Sequence, residues 1–125
     1  MKLQLTTIGR ILFALPFGLL GINHFIMKNY YLMMVTSVIP FLGFSVLLVG
    51  LILIIASISI IMNKMVQLSC WALAILLLMF IAFIHIPNLF NEATQTIALI
   101  ELMKDTALLG GSLMIAGMSN KTNEA

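Results

Sequence analysis

The stretch at residues 97–118, IALIELMKDTALLGGSLMIAGM, decides how the whole chain is read. Its 22 residues are long enough to cross a bilayer, yet its first half carries Glu101, Lys104 and Asp105. Each ionised side chain near mid-membrane costs about 2.5 to 3.5 kcal/mol on insertion scales. Such charges usually face a bundle interior or a site, so the rest of the chain must be searched for their partners.

Working outward, composition sets the class. With 62% hydrophobic residues, 8% charged residues and a mean hydropathy of +1.20, a chain of 125 residues cannot hide its apolar side chains inside a soluble core. An integral membrane protein is expected, with residues 1–125 forming one domain. The net charge of +2 comes from six Lys+Arg against four Asp+Glu, scattered singly, which argues against nucleic acid binding. Cys70 is the only cysteine, so an internal disulfide or a C-x-x-C pair is excluded. No G-x-S-x-G element is present, and no catalytic residue is assigned.

Three more apolar runs precede the opening stretch. Residues 68–86 read as the third span, with Trp71 near its start and His85-Ile86-Pro87 at its close, Pro87 ending the helix. Helical steps back from His85 reach Ala82, Leu78, Ala74 and Trp71, which predicts that the histidine shares their face and points at a neighbour. Residues 40–62 form the second span, without a charge, and Gly43, Gly50 and Ser57 recur every seven residues as a packing stripe. Residues 8–27 form the first, with Arg10 near its start. Pro16 predicts a kink there, and Gly18 and Gly21 remove bulk beside a neighbouring helix. Asn23-His24 stands where signal cleavage would need small residues, so this run is expected to be retained as a span. Tyr30 and Tyr31 suit the headgroup level of the membrane.

Spans at residues 8–27, 40–62, 68–86 and 97–118 with short connections predict an all-α fold. The expected form is a four-transmembrane-helix up-down-up-down bundle whose first helix neighbours both the second and the fourth. One side then holds Lys2, Arg10, Lys64 and Lys121 and the other Lys28 and Lys104, so both termini are expected in the cytoplasm. Asn23, His24, Lys28, His85, Glu101, Lys104 and Asp105 all fall in the outer leaflet. One antiparallel register matches Lys28 with Glu101 and His24 with Asp105. The two carboxylates, four residues apart, repel if both are ionised and favour a proton or a cationic partner, and Lys104 relieves part of this. Arg10 lies about 21 Å down the helix from His24, at 1.5 Å per residue. No acid stands opposite it, only Ser119, so it is expected to snorkel to the cytoplasmic headgroups.

A metal needs three or four converging ligands, and no local spacing such as H-x-x-x-H supplies them, so no metal site is expected. Two histidines on different helices are thin support for a haem. A quinone or another amphipathic ligand, bonded by a histidine and an acid in an apolar cleft, suits the cluster better. A salt-bridge network that only fixes helix register remains open beside it.

The segments GRILFALPFGLLGINHF (9–25), LVGLILIIASISI (48–60), FIHIPNL (83–89) and LMKDTALLGGSLMIAG (102–117) resemble, in order and spacing, the DoxX family of small bacterial membrane proteins. The positions fitting its pattern are Arg10, Asn23, His24, His85, Lys104, Asp105, Gly110 and Gly111. Where members commonly carry an acid early in the second helix, residues 40–46 have no charge. The resemblance implies a four-helix bundle in the bacterial cytoplasmic (inner) membrane and a link to redox work, since relatives include subunits of thiosulfate:quinone oxidoreductases and partners of thiol-handling enzymes.

The expected function is therefore an accessory or partner subunit in membrane redox (quinone or thiol/sulfur) processes, with a quinone as candidate ligand. Its expected partners are membrane lipid, a redox protein and further copies of itself. The alternatives are a structural or interaction protein whose buried charges set helix register, and a small-solute carrier acting as an oligomer.

Overall fold

The computed structural model of the chain describes residues 2–27 and 42–124, with side chains described over 4–27 and 44–119. Lys28, Tyr30, Tyr31 and Pro40 lie outside these residues, as does any account of Gly43's surroundings. The described chain is helical, with no strand: α1 (Lys2–Ile26), α2 (Leu42–Ile61), α3 (Val66–Phe80), a π turn (Ile81–His85), the short α4 (Ile86–Asn88) and α5 (Gln95–Glu124). Helix α1 starts six residues before the expected first span, and the third continues through Pro87 to Asn88 rather than stopping at Ile86.

Three segments are long and apolar enough to cross a membrane: Gln4–Ile26, Phe44–Ile61 and Val66–Asn88, with mean hydropathies of 1.7, 2.9 and 2.4. Only 17%, 33% and 39% of their most apolar windows are buried, so most of their apolar surface points outward. Leu12, Leu19, Phe44, Ile55, Leu68, Ile75 and Leu78 are all more than half exposed. A surface of this kind is incompatible with water and suits lipid. Helix α5 contains the expected fourth span but does not join these three by length and composition, because Glu101, Lys104 and Asp105 interrupt its apolar run.

Among the described residues the long helices form two pairs. In the first, α1 lies against α2 with small residues at the contact. A Cβ built on Gly21 would stand 2.6 Å from the Gly50 carbonyl oxygen, and one on Gly18 would stand 2.7 Å from Ser57 Oγ. The backbones meet there because neither glycine has a side chain to hold them apart. Ser57 Oγ donates to the Ala14 carbonyl at 2.8 Å, so the stripe read from Gly50 and Ser57 is a packing seam.

In the second pair, α3 lies against α5, and Ser112 Oγ donates to the Cys70 carbonyl at 2.6 Å with both residues fully buried. In each pair the contacts run in opposite directions along the two helices. The pairs share a core of Ala14, Phe17, Leu53, Ile60, Leu73, Leu77 and Ala116. Helices α2 and α3 are joined by a tight turn in which Asn63 and Met65 take positive φ, 60° and 52°.

The first helix, expected to neighbour both the second and the fourth span, meets them by different means. Among the described residues, the close backbone approaches of α1 are to α2. It reaches α5 through longer side chains, such as Phe13, whose ring lies 3.3 Å from a Cβ built on Gly111. That wider spacing leaves room between the pairs at both ends of the molecule.

Candidate functional site

His85 owes its position to a break in helical periodicity. The buried face of α3 runs through Val66, Cys70, Leu73 and Leu77, whereas Trp71 and Leu78 are half or more exposed. In an unbroken α-helix His85 would stand above Leu78 and Trp71, as the sequence count predicts, and would face outward. Instead the N–H of Ile86 reaches back five residues to the Ile81 carbonyl, closing a π turn over Ile81–His85. A π turn holds one residue more than an α turn, so His85 takes the angular place of the residue before it, above Leu77 and Cys70. It is buried as a result. Pro87 supplies a physical reason for the wide turn, having no N–H for the Phe83 carbonyl and a ring that crowds it. Asn88 Nδ2 then donates to the neighbouring Ile84 carbonyl at 2.7 Å.

Asp105 comes from the facing side of α5. His85 Nε2–H donates to Asp105 Oδ2 at 2.6 Å, and both residues are more than nine-tenths buried. The carboxylate can only accept, so the ring nitrogen facing it carries the proton. Glu101, one turn before Asp105, is half-buried and accepts from Lys104 Nζ at 3.1 Å on the exposed rim. One donor atom from each of His85, Glu101 and Asp105 lies within 4.8 Å of the other two.

Of the remaining predicted residues, His24 lines the same cavity as this group. His24 is buried near the end of α1, its Nδ1–H donating to the Leu20 carbonyl at 2.7 Å, and its Cβ stands 2.8 Å from a Cβ built on Gly50. Asn23 is half-buried and Lys104 exposed. The expected matching of His24 with Asp105 is thus corrected: the bond that holds Asp105 comes from His85, across the α3–α5 pair. The expected matching of Lys28 with Glu101 lies outside the described residues, and the ion pair of Glu101 is with Lys104.

These groups border a cavity of about 590 Å³ between the two helix pairs. Its walls are mainly apolar, with Phe17, Val49, Leu76 and Phe80 among them, and His24, His85, Glu101 and Asp105 are its titratable lining. A long apolar cleft with a few convergent polar groups is the usual form of a site for an amphipathic small molecule.

At the opposite end Arg10 has a role that differs from the one expected. Its Nη1 donates to the carbonyls of Ile60 and, at 3.1 Å, Ile61. These are the last residues of α2, whose terminal carbonyls lack intrahelical partners and carry the negative end of the helix dipole. Arg10 therefore caps α2 from α1 instead of snorkelling away. It also borders a second cavity, of about 740 Å³, with Thr6, Asn63, Gln67 and Ser119.

Sequence reasoning missed both the π turn and the cap. Pro87 two residues after His85 was the only local signal for the first, and nothing local signals the second. The fold and site place the chain in the class of all-helical membrane proteins, by three helices that can span and an outward apolar surface. Comparison with protein-family models, curated proteins and solved structures gives no match for this chain.

Proposed function

We propose that this chain is a multi-pass protein of the bacterial cytoplasmic membrane that binds an amphipathic ligand of the quinone class and serves as an accessory subunit in membrane redox work. In this reading α5 is a fourth span, the helices run up-down-up-down, and both termini are cytoplasmic. The opposed directions within the α1–α2 and α3–α5 pairs favour that topology. Pairing of Asp105 with His85 and of Glu101 with Lys104 lowers the cost of placing the three charges of α5 near lipid. The DoxX resemblance is part of the same proposal.

The observation that carries the reading is the apolar cavity of about 590 Å³ with His85, Asp105 and Glu101 gathered at its border. A quinone has an apolar body and two oxygens. In the reduced form its hydroxyls donate, which suits carboxylates, and in the oxidised form its carbonyls accept, which suits an imidazole N–H. The test is thermal melting of detergent-purified protein with and without a short-chain quinone. A ligand-dependent rise is expected, and Asp105→Asn should remove it while helicity by circular dichroism persists. Equal melting with and without quinone would overturn the proposal.

A second reading is favoured by one observation: among the described residues every buried side-chain polar atom has a hydrogen-bond partner. A closed His85–Asp105 pair could then serve only to fix the register of α3 on α5. In that case Asp105→Asn changes stability and leaves quinone without effect in every variant.

A further inference from the structure

We propose that His85, Glu101 and Asp105 form a binding site for one divalent transition-metal ion of the zinc class, with its remaining coordination position open to the cavity between the helix pairs. No local spacing in the sequence suggests this. The π turn makes it, by bringing a nitrogen ligand from α3 onto two carboxylates of α5.

The donor set comes first. One imidazole and two carboxylates, with at least one open position, match the ligand types that hold catalytic zinc and related borderline ions. Calcium and magnesium are disfavoured, because they call for six or more oxygen ligands or retained waters. Charge is second. Glu101 and Asp105 lie one helical turn apart on one face of α5, next to an apolar cavity, and Lys104 bonds Glu101 from the exposed rim. A divalent ion neutralises both carboxylates in surroundings where their mutual repulsion is weakly screened.

Distance is third. The ligand atoms lie within 4.8 Å of one another. A tetrahedral ion with bonds of about 2.0 to 2.2 Å needs separations of about 3.3 to 3.6 Å, so the group must draw in by about an ångström. Glu101 can supply that movement, since it is half-buried and its known partner is an exposed lysine. His85 and Asp105, now 2.6 Å apart, would open slightly as the ion replaces the proton between them. The ring then keeps its proton on Nδ1 as the other neutral tautomer, so no net proton is released by the histidine.

The experiment uses the untagged full chain, stripped with a chelator and held in detergent without any quinone, so its outcome is independent of the ligand reading above. Zn²⁺ is titrated by calorimetry, and Co²⁺ is followed by its visible spectrum. One ion per chain is expected, with Co²⁺ absorption of a four- or five-coordinate site. His85→Ala and Glu101→Gln should each weaken binding at least about tenfold, the low end of what even outer-sphere changes produce. Glu92→Gln, on an exposed loop residue, should leave it unchanged. Circular dichroism checks the fold, and if His85→Ala fails to fold, the Glu101→Gln result decides. Absence of saturable binding to the wild-type chain, or affinity unaltered in folded Glu101→Gln, would overturn the proposal.

Discussion

The two helix pairs are held together by different means. Helices α1 and α2 approach through missing side chains, at Gly18, Gly21 and Gly50, with a serine bond beside that seam and the Arg10 cap at one end of α2. Helices α3 and α5 are joined by side chains that reach across, Ser112 to Cys70 and His85 to Asp105. In lipid no hydrophobic force draws helices together, so close packing and polar bonds are the available means. Among the described residues only the first pair adds close backbone approach at glycines. In the second the bond across the pair joins two titratable side chains, His85 and Asp105, and these border the cavity.

The contrast is most directly broken at Gly21. Gly21→Leu would drive its Cβ into the Gly50 carbonyl and the Ile54 side chain, and should cost about 3 kcal/mol or more, the upper range for overpacking. Gly110→Leu, where a Cβ meets nothing within 4 Å, should leave unfolding in mixed micelles nearly unchanged. Equal losses would show that α1–α2 packing is not the tight seam described.

Asp105→Ala comes next. It strands the buried His85 and should cost about 1 to 3 kcal/mol, the penalty for an unpaired buried polar group. A double-mutant cycle with His85→Ala should show clear coupling, and additive losses would remove the pair from the account. Ser112→Ala and Ser57→Ala each delete one buried serine-to-carbonyl bond and should cost only about 0.6 kcal/mol, the average for such bonds in membranes. A much larger loss for Ser112 would sharpen the view that polar bonds dominate the second pair.

The smallest change in the coupling of His85 with Asp105 is expected for deletion of Ala82. Because the π turn amounts to one inserted residue, its removal should restore an α-helix and leave His85 facing Asp105. The same double-mutant cycle in the deletion background should return the same coupling. Loss of coupling there would mean that the π turn sets more than the direction of one side chain.

Much of this was legible in the residues. The stripe of Gly50 and Ser57 and the bulk removed at Gly18 and Gly21 marked a close helix contact, and the structure puts them at one seam. The charges of α5 demanded partners, and Glu101, Lys104 and Asp105 all have them. What the residues left open was which helix provides the partner. Counting in α-helical steps pointed His85 at a neighbour, as found, but grouped it with Trp71 and Leu78, whose face is exposed, and an assumed register gave Asp105 to His24 on α1.

The sequence by itself determined the class of the protein: so many apolar residues with so few charges need outer faces that meet lipid, and continuous apolar runs of about 20 residues cross it as helices, whose backbone polar groups bond within each helix. Composition and periodicity act locally, and locally they suffice. The tertiary structure alone decided the site. A single extra residue in one turn before Pro87 rotates His85 by roughly a third of a turn, at 100° per residue. That rotation, which depends on how the helix fits its neighbours, sets whether the histidine meets lipid or Asp105.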